Sequence, residues 1–267
     1  MALPAIPPIW REGMMGLEYG SLRRQPIYKS PPAAAQSLPI MLIPGFLTGD
    51  GSLRAFESWL RRCGHRTHAS GMRVNADCSE ASMGRLEQRL QAFVETQGEP
   101  AVVIGQSRGG CFARVLGVRR PDLVRSVITL GSPHRAPLAV HPLIFMQAAT
   151  LAGLSALGIP GLASHRCTYG DCCRSYSEDL RAPMPPGVDF VSIYSERDGI
   201  VDWHACLDPE AEHVKVVSTH CGMGLNSAVY EAMDEILHRR QAHRSRGTRS
   251  ARKQRAAPRR RSAAAGA

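Results

Sequence analysis

The chain has 267 residues, 43% of them hydrophobic, which is enough for a sizeable core and too apolar for an intrinsically disordered protein. Its formal charge of +10 does not describe a basic fold, because residues 239–267 carry eleven Lys and Arg and no Asp or Glu, so residues 1–238 have a net charge of −1. Eight cysteines in this length exclude a disulfide-dense small scaffold, and no Cys-x-x-Cys pairs face each other at zinc-finger spacing, so reduced thiols and no metal are expected.

Apolar runs bounded by turn residues recur at intervals suited to alternating strands and helices. LPIMLI from Leu38 reads as a buried strand stopped by Pro44-Gly45, and SLRAFESWLRR from Ser52 as a helix with Leu53, Phe56, Trp59 and Leu60 on one face. HRTHASGMRV offers a weaker strand, and SEASMGRLEQRLQAFVETQG a helix lined by Leu86, Leu90 and Phe93. AVVIG is a strand, GGCFARVLGVRRP a helix ended by Pro121, and LVRSVITLGSP a strand. VDFVSIYS and HVKVVST add two strands before the closing helix GLNSAVYEAMDEILHRR. Six strands separated mostly by helices predict an α/β fold with a mostly parallel sheet and helices on both faces.

Residues from about 134 to 187 interrupt this rhythm and predict a cap insertion over the carboxyl ends of the strands. Within it LIFMQAATLAGLSALGIPGL from Leu143 has the length of a membrane span, but its Gln, Thr, Ser, Pro and three Gly make a transmembrane helix unexpected. The N-terminus lacks a basic segment followed by a continuous apolar one, so no secretory signal is expected; the expected compartment is the cytoplasm, with peripheral membrane association left open. The Arg-, Ala- and Ser-rich tail, residues 239–267, predicts disorder and at most weak attraction to anionic surfaces; it contains no nucleic-acid module.

GQSRG places Ser107 between Gly105 and Gly109 where strand gives way to helix, the pattern of a nucleophile elbow. A serine hydroxyl needs an imidazole base, itself oriented by a carboxylate. His220 directly follows the last predicted strand; His204 is the nearest rival, His213 opens that strand at its opposite end, and His134, His141 and His165 lie in or beside the cap. SERDGIVDW offers Glu196, Asp198 and Asp202 as the acid, and Asp198, in a turn before Gly199, is preferred. The order Ser107, Asp198, His220 is that of α/β-hydrolases.

LIPGF, GQSRGG, TLGSP, SERDGIVD and STHCGMG together resemble an α/β-hydrolase of the bacterial triacylglycerol-lipase/esterase type, over roughly residues 38–238. The resemblance implies an oxyanion hole formed by the backbone N–H groups of Phe46 and Arg108. Gln106 and Arg108 depart from the His and small or apolar residue that flank the serine in many lipases, and a cation there suggests a polar or anionic substrate end. The chain enters at the third strand of the full fold, leaving residues 1–37 as a packing arm with Trp10 and Tyr19 as core contacts. Cap residues Leu143, Ile144, Phe145 and Leu151 are candidates to line an acyl pocket. Cys206 and Cys221 flank the acid and histidine loops, where either a bracing disulfide or two nearby thiols fits; Cys172-Cys173 is a candidate to hold or redox-tune the lid. The expected activity is hydrolysis of a small-molecule or lipid ester through an acyl-serine, with no cofactor. An acyltransferase or thioesterase with the same triad, and an inactive scaffold acting through its basic tail, remain the alternatives.

Overall fold

The computed structural model describes residues 6–164, 167 and 171–239. Six parallel strands form one sheet: β1 (Pro39–Ile43), β2 (Arg66–Ala69), β3 (Ala101–Gln106), β4 (Val124–Leu130), β5 (Asp189–Tyr194) and β6 (Glu212–Lys215). Their spatial order is β2-β1-β3-β4-β5-β6. All six runs expected from the sequence are strands, although the last pairs only over Glu212–Lys215 before its chain leaves the sheet.

Strict alternation along the strands divides two cores. Ile40 and Leu42, Val102 and Ile104, Ile128 and Leu130, and Val191 and Ile193 face one side; Met41 and Ile43, Ala101 and Val103, Val127 and Phe190 face the other. The chain starts with a 3-10 turn, Ile9–Met14, then α1 (Met15–Leu22) and α2 (Pro26–Lys29). The first core is covered by α3 (Arg54–Arg62), through Phe56, Trp59 and Leu60, and by a closing helix over residues 227–239, through Val229, Tyr230, Met233, Ile236 and Leu237. The second is covered by α4 (Ser79–Gln97), through Met83, Leu86 and Leu90, and by α5 (Arg108–Arg119), through Phe112, Val115 and Leu116.

Because every strand runs the same way, the segments that follow β1, β3, β4, β5 and β6 all emerge at one rim of the sheet, the edge at which open α/β sheets bind ligands. Phe46, Ser107, Asp198 and His220 follow β1, β3, β5 and β6 in turn. Between β4 and β5 lies the long insertion, which contains α6 (Pro142–Ala156) and α7 (Arg174–Asp179). Its start is fastened to the segment after β5: Val140 bridges Val201, the His141 amide donates to the Ile200 carbonyl (2.7 Å), and the Asp202 amide donates to the Ala139 carbonyl (2.9 Å). Among the described residues no helix is long and apolar enough to cross a membrane. The basic tail beyond Arg239 lies outside the described residues.

The N-terminal arm departs in part from expectation. Tyr19 packs against the core, but Trp10 is 73% exposed. The arm is held instead by Leu22, buried in the core, by Ile27 and Tyr28 packed against it, and by Trp59 Nε1 donating to the Ile27 carbonyl (2.7 Å).

Candidate active site

The elbow is built from backbone crowding. A Cβ on Gly105 would collide with the Gly109 carbonyl, and one on Gly109 with the carbonyls of Ile43 and Pro44, so helix α5 lies close to strand β3 and to the end of β1 only because these positions lack side chains. Between them Ser107 adopts φ 53° and ψ −124°, a conformation that costs an L-residue about 1–3 kcal/mol. The surroundings enforce it: the Ser107 amide donates to the Leu130 carbonyl (2.8 Å), and the Ser107 carbonyl accepts from the Gly110 amide (2.9 Å) as α5 begins. The serine therefore caps a helix whose partial positive end faces the rim.

On the neighbouring loops, Asp198 and His220 form a buried pair, with Oδ2 and Nδ1 2.6 Å apart. The other carboxylate oxygen of Asp198 accepts from the amides of Ile200 (2.9 Å) and Val201 (2.7 Å), which fixes the carboxylate plane. Burial opposes charging of the His220 ring, but the charge and hydrogen bond of Asp198, joined by the charge of Glu12, outweigh it and raise the imidazole above its ordinary value. Gln106, the residue before Ser107, donates from Nε2 to the His220 carbonyl (3.0 Å), tying the histidine loop to the strand that ends in the elbow.

The rival groups are engaged elsewhere. Asp202 caps a 3-10 turn and binds the exposed His204 (2.7 Å), whose ring stacks on Trp203. Glu196 pairs with Lys215 (2.7 Å), and His213 Nε2 meets the Asp208 carbonyl (2.7 Å). His141 caps α6, accepting from the Leu143 amide (3.2 Å). His134 is buried near Asp208, and burial foremost lowers it to about 4. His165 lies outside the described residues.

Two carboxylates that no sequence motif marks hold the histidine loop. Glu12 Oε1 accepts from the amides of Gly199 (2.8 Å) and His220 (3.0 Å), while Oε2 accepts from that of Cys221 (2.8 Å), so one side chain spans both the acid and histidine loops. Glu18 accepts from the Thr219 amide (2.9 Å), the Thr219 hydroxyl (2.7 Å) and Asn226 Nδ2 (3.0 Å). Ser195 stitches the same loops from below, donating to the Ser218 carbonyl (2.7 Å) and accepting from its amide (3.1 Å). No short-range pattern announces Glu12, which lies 208 residues from His220. This carboxylate joins the loops without the disulfide weighed for Cys206 and Cys221: both are free thiols, Cys206 buried beneath the rim and Cys221 exposed.

Arg108 also departs from its expected side-chain role. Its guanidinium donates to Asn75 Oδ1 (3.0 Å), the Asn75 carbonyl (3.2 Å), the Asp77 carbonyl (2.6 Å) and Ser79 Oγ (3.1 Å), and it stacks over Phe112. Its donors are thus occupied by protein rather than offered to an anionic substrate. Asn75 in turn donates to the Pro44 carbonyl (2.8 Å) and its carbonyl accepts from the Leu47 amide (3.0 Å), linking the start of α5 to the turn that carries Phe46.

The four cap residues all lie on α6, where Leu143 and Phe145 are exposed and Ile144 and Leu151 partly buried; only Ala152 of this helix is buried. A groove of about 460 Å³ lined by Tyr19, Tyr28, Ser52, Arg54 and Leu225 lies between the arm and α3, and none of the candidate site residues lines it.

The fold has relatives among solved structures. A mature-form lipase of Bacillus licheniformis, BlEst2, superposes with a TM-score of 0.56 at 15% identity, covering 77% of this chain and 94% of that one. A monoacylglycerol lipase of Paleococcus ferrophilus gives a TM-score of 0.53 at 13% identity, covering 78% and 96%. This is an α/β-hydrolase fold. Triacylglycerol lipases of Pseudarthrobacter phenanthrenivorans and Burkholderia plantarii are 29% identical over 112 residues, 38% of this chain. The matches span about a third of those lipases' lengths, 35% and 31%. No family model matches the sequence. In sequence the chain is thus similar to triacylglycerol lipases over those 112 residues, and in fold to α/β-hydrolases.

Proposed function

We propose that the protein hydrolyses carboxylic esters through an acyl-serine intermediate. The buried Asp198–His220 pair, roped to the strand that ends at the strained Ser107, is the observation that carries this reading. In the proposed reaction the Ser107 hydroxyl attacks the ester carbonyl while His220 Nε2 takes its proton. Asp198 holds Nδ1–H and stabilises the imidazolium that forms. The backbone N–H groups of Phe46 and Arg108 receive the developing oxyanion, at a helix start whose dipole favours negative charge. Collapse of the tetrahedral intermediate expels the alcohol with the proton from His220, and water repeats the sequence to release the acid.

The relatives named as lipases and the apolar side chains of α6 support an acyl group as the substrate's recognised part. In this reading the insertion is a cap, with Leu143, Ile144, Phe145 and Leu151 on its acyl side, and Arg108 contributes its backbone N–H rather than a side-chain cation.

Hydrolysis of p-nitrophenyl esters of graded chain length tests the proposal. Turnover with preference among chain lengths, reduced about a thousand-fold or more in Ser107→Ala, is expected. Turnover that survives Ser107→Ala would overturn it.

A further inference from the structure

Where the connection from β2 to α4 meets the insertion, four cysteines from distant parts of the chain come together. Cys78 caps the N-terminus of α4, while Cys167, Cys172 and Cys173 belong to the insertion, and all four sulfurs lie within 4.8 Å of one another. Cys78 and Cys173 Sγ are 3.5 Å apart and Cys172 and Cys173 Sγ 3.7 Å. Four thiolates around one zinc ion at about 2.3 Å each stand about 3.8 Å from one another at the corners of a tetrahedron. We propose that these side chains form a tetrathiolate zinc site that staples the insertion to the start of α4.

Ser164 Oγ lies 3.7 Å from Cys167 Sγ, and the Arg108 guanidinium acts electrostatically on Cys173. Soft sulfur ligands in a tetrahedron select zinc among common divalent ions, and a polynuclear iron–sulfur cluster would hold its cysteines farther apart. Binding exchanges four S–H bonds for four Zn–S bonds and releases four protons to solvent, with no change of oxidation state. The spacing Cys-x4-Cys-Cys plus one remote Cys lacks paired Cys-x-x-Cys knuckles, so the linear sequence conceals the set. The amide of Ala163 donating to the Ala76 carbonyl (2.7 Å) marks the same junction between insertion and core.

The test uses the full chain, expressed with zinc chloride and purified under reducing conditions without chelator. Elemental analysis is expected to give one zinc per chain, released when the thiols are titrated with an organomercurial. Reconstitution of the stripped protein with cobalt chloride is expected to give the intense ligand-field bands of tetrahedral thiolate coordination. Cys78→Ser and Cys173→Ser should each lower zinc content about ten-fold or more; should either fail to fold, Cys172→Ser at an exposed position gives the same readout. Cys221→Ser should retain the full complement. Zinc removal should also increase limited proteolysis within residues 134–187 while the sheet stays protected. Metal-free protein with four alkylatable thiols that binds neither zinc nor cobalt would overturn the proposal, as would iron in place of zinc or disulfides among these cysteines in alkylation mass spectrometry.

Discussion

The histidine loop and helix α6 lie on neighbouring stretches of the same rim and are held by opposite means. His220 and Asp198 are buried and fixed by a dense set of hydrogen bonds from Glu12, Glu18, Gln106 and Ser195. Helix α6 buries one residue, exposes Leu143, Phe145 and Met146, and is fastened mainly through the backbone just before it. Under the proposed function the difference has a physical reason: directional bonds are concentrated where proton transfer would need a fixed geometry, and apolar surface where a hydrocarbon group would need only a non-directional environment.

The strongest way to break this comparison is to attack the rigid side. Asp198→Asn is expected to lower kcat by about 10⁴-fold with p-nitrophenyl butyrate, because an amide there no longer stabilises the imidazolium, while circular dichroism stays unchanged. A ten-fold loss or less would place the orienting acid elsewhere. Asn75→Ala comes next: it strips the Pro44 carbonyl and the Arg108 guanidinium of partners, with an expected cost of about 1–3 kcal/mol in chemical denaturation. Its kcat should fall about ten- to a hundred-fold through displacement of the Phe46 turn, leaving the Ser107 labelling site intact.

Glu12→Gln sharpens the contrast through pH. The base works unprotonated, so kcat/KM rises as pH passes the pKa of His220, which the neighbouring carboxylates raise above the ordinary imidazole value. Burial opposes that rise; Asp198 and then Glu12 favour it. Removing the Glu12 charge should therefore move the acid limb to lower pH and lower maximal kcat only several-fold, whereas a purely structural role would lower activity without moving the limb. Phe145→Ala should have the smallest effect: stability changed by about 0.5 kcal/mol or less at an exposed position, but the preference for long over short acyl chains reduced several-fold. Equal loss on all chain lengths would remove Phe145 from the acyl side.

Local pattern carried most of the fold. Apolar runs such as PIMLI and AVVIGQ are visible because parallel strands are buried on both faces, and the Gly-x-Ser-x-Gly turn is visible because crowding allows nothing larger at its ends. Asp198 and His220 could be chosen because each follows a strand on the same rim. Glu12 and Glu18 were hidden: an arm with no periodicity gives no hint that its carboxylates will meet amides some two hundred residues away. Arg108 shows another limit, since a charge beside a nucleophile reads the same in one dimension whether it faces substrate or braces Asn75. Trp10 shows a third, since aromatic character alone predicted burial that its position in the arm does not provide.

The claim on which the account turns is that Ser107 is the nucleophile armed by His220. Reaction of the folded full-length protein with a fluorophosphonate, followed by peptide mapping in a mass spectrometer, tests it most directly. The account predicts a single adduct on Ser107, absent in Ser107→Ala and formed far more slowly in His220→Ala. No adduct on the folded protein, or one on another residue that persists in Ser107→Ala, would contradict it.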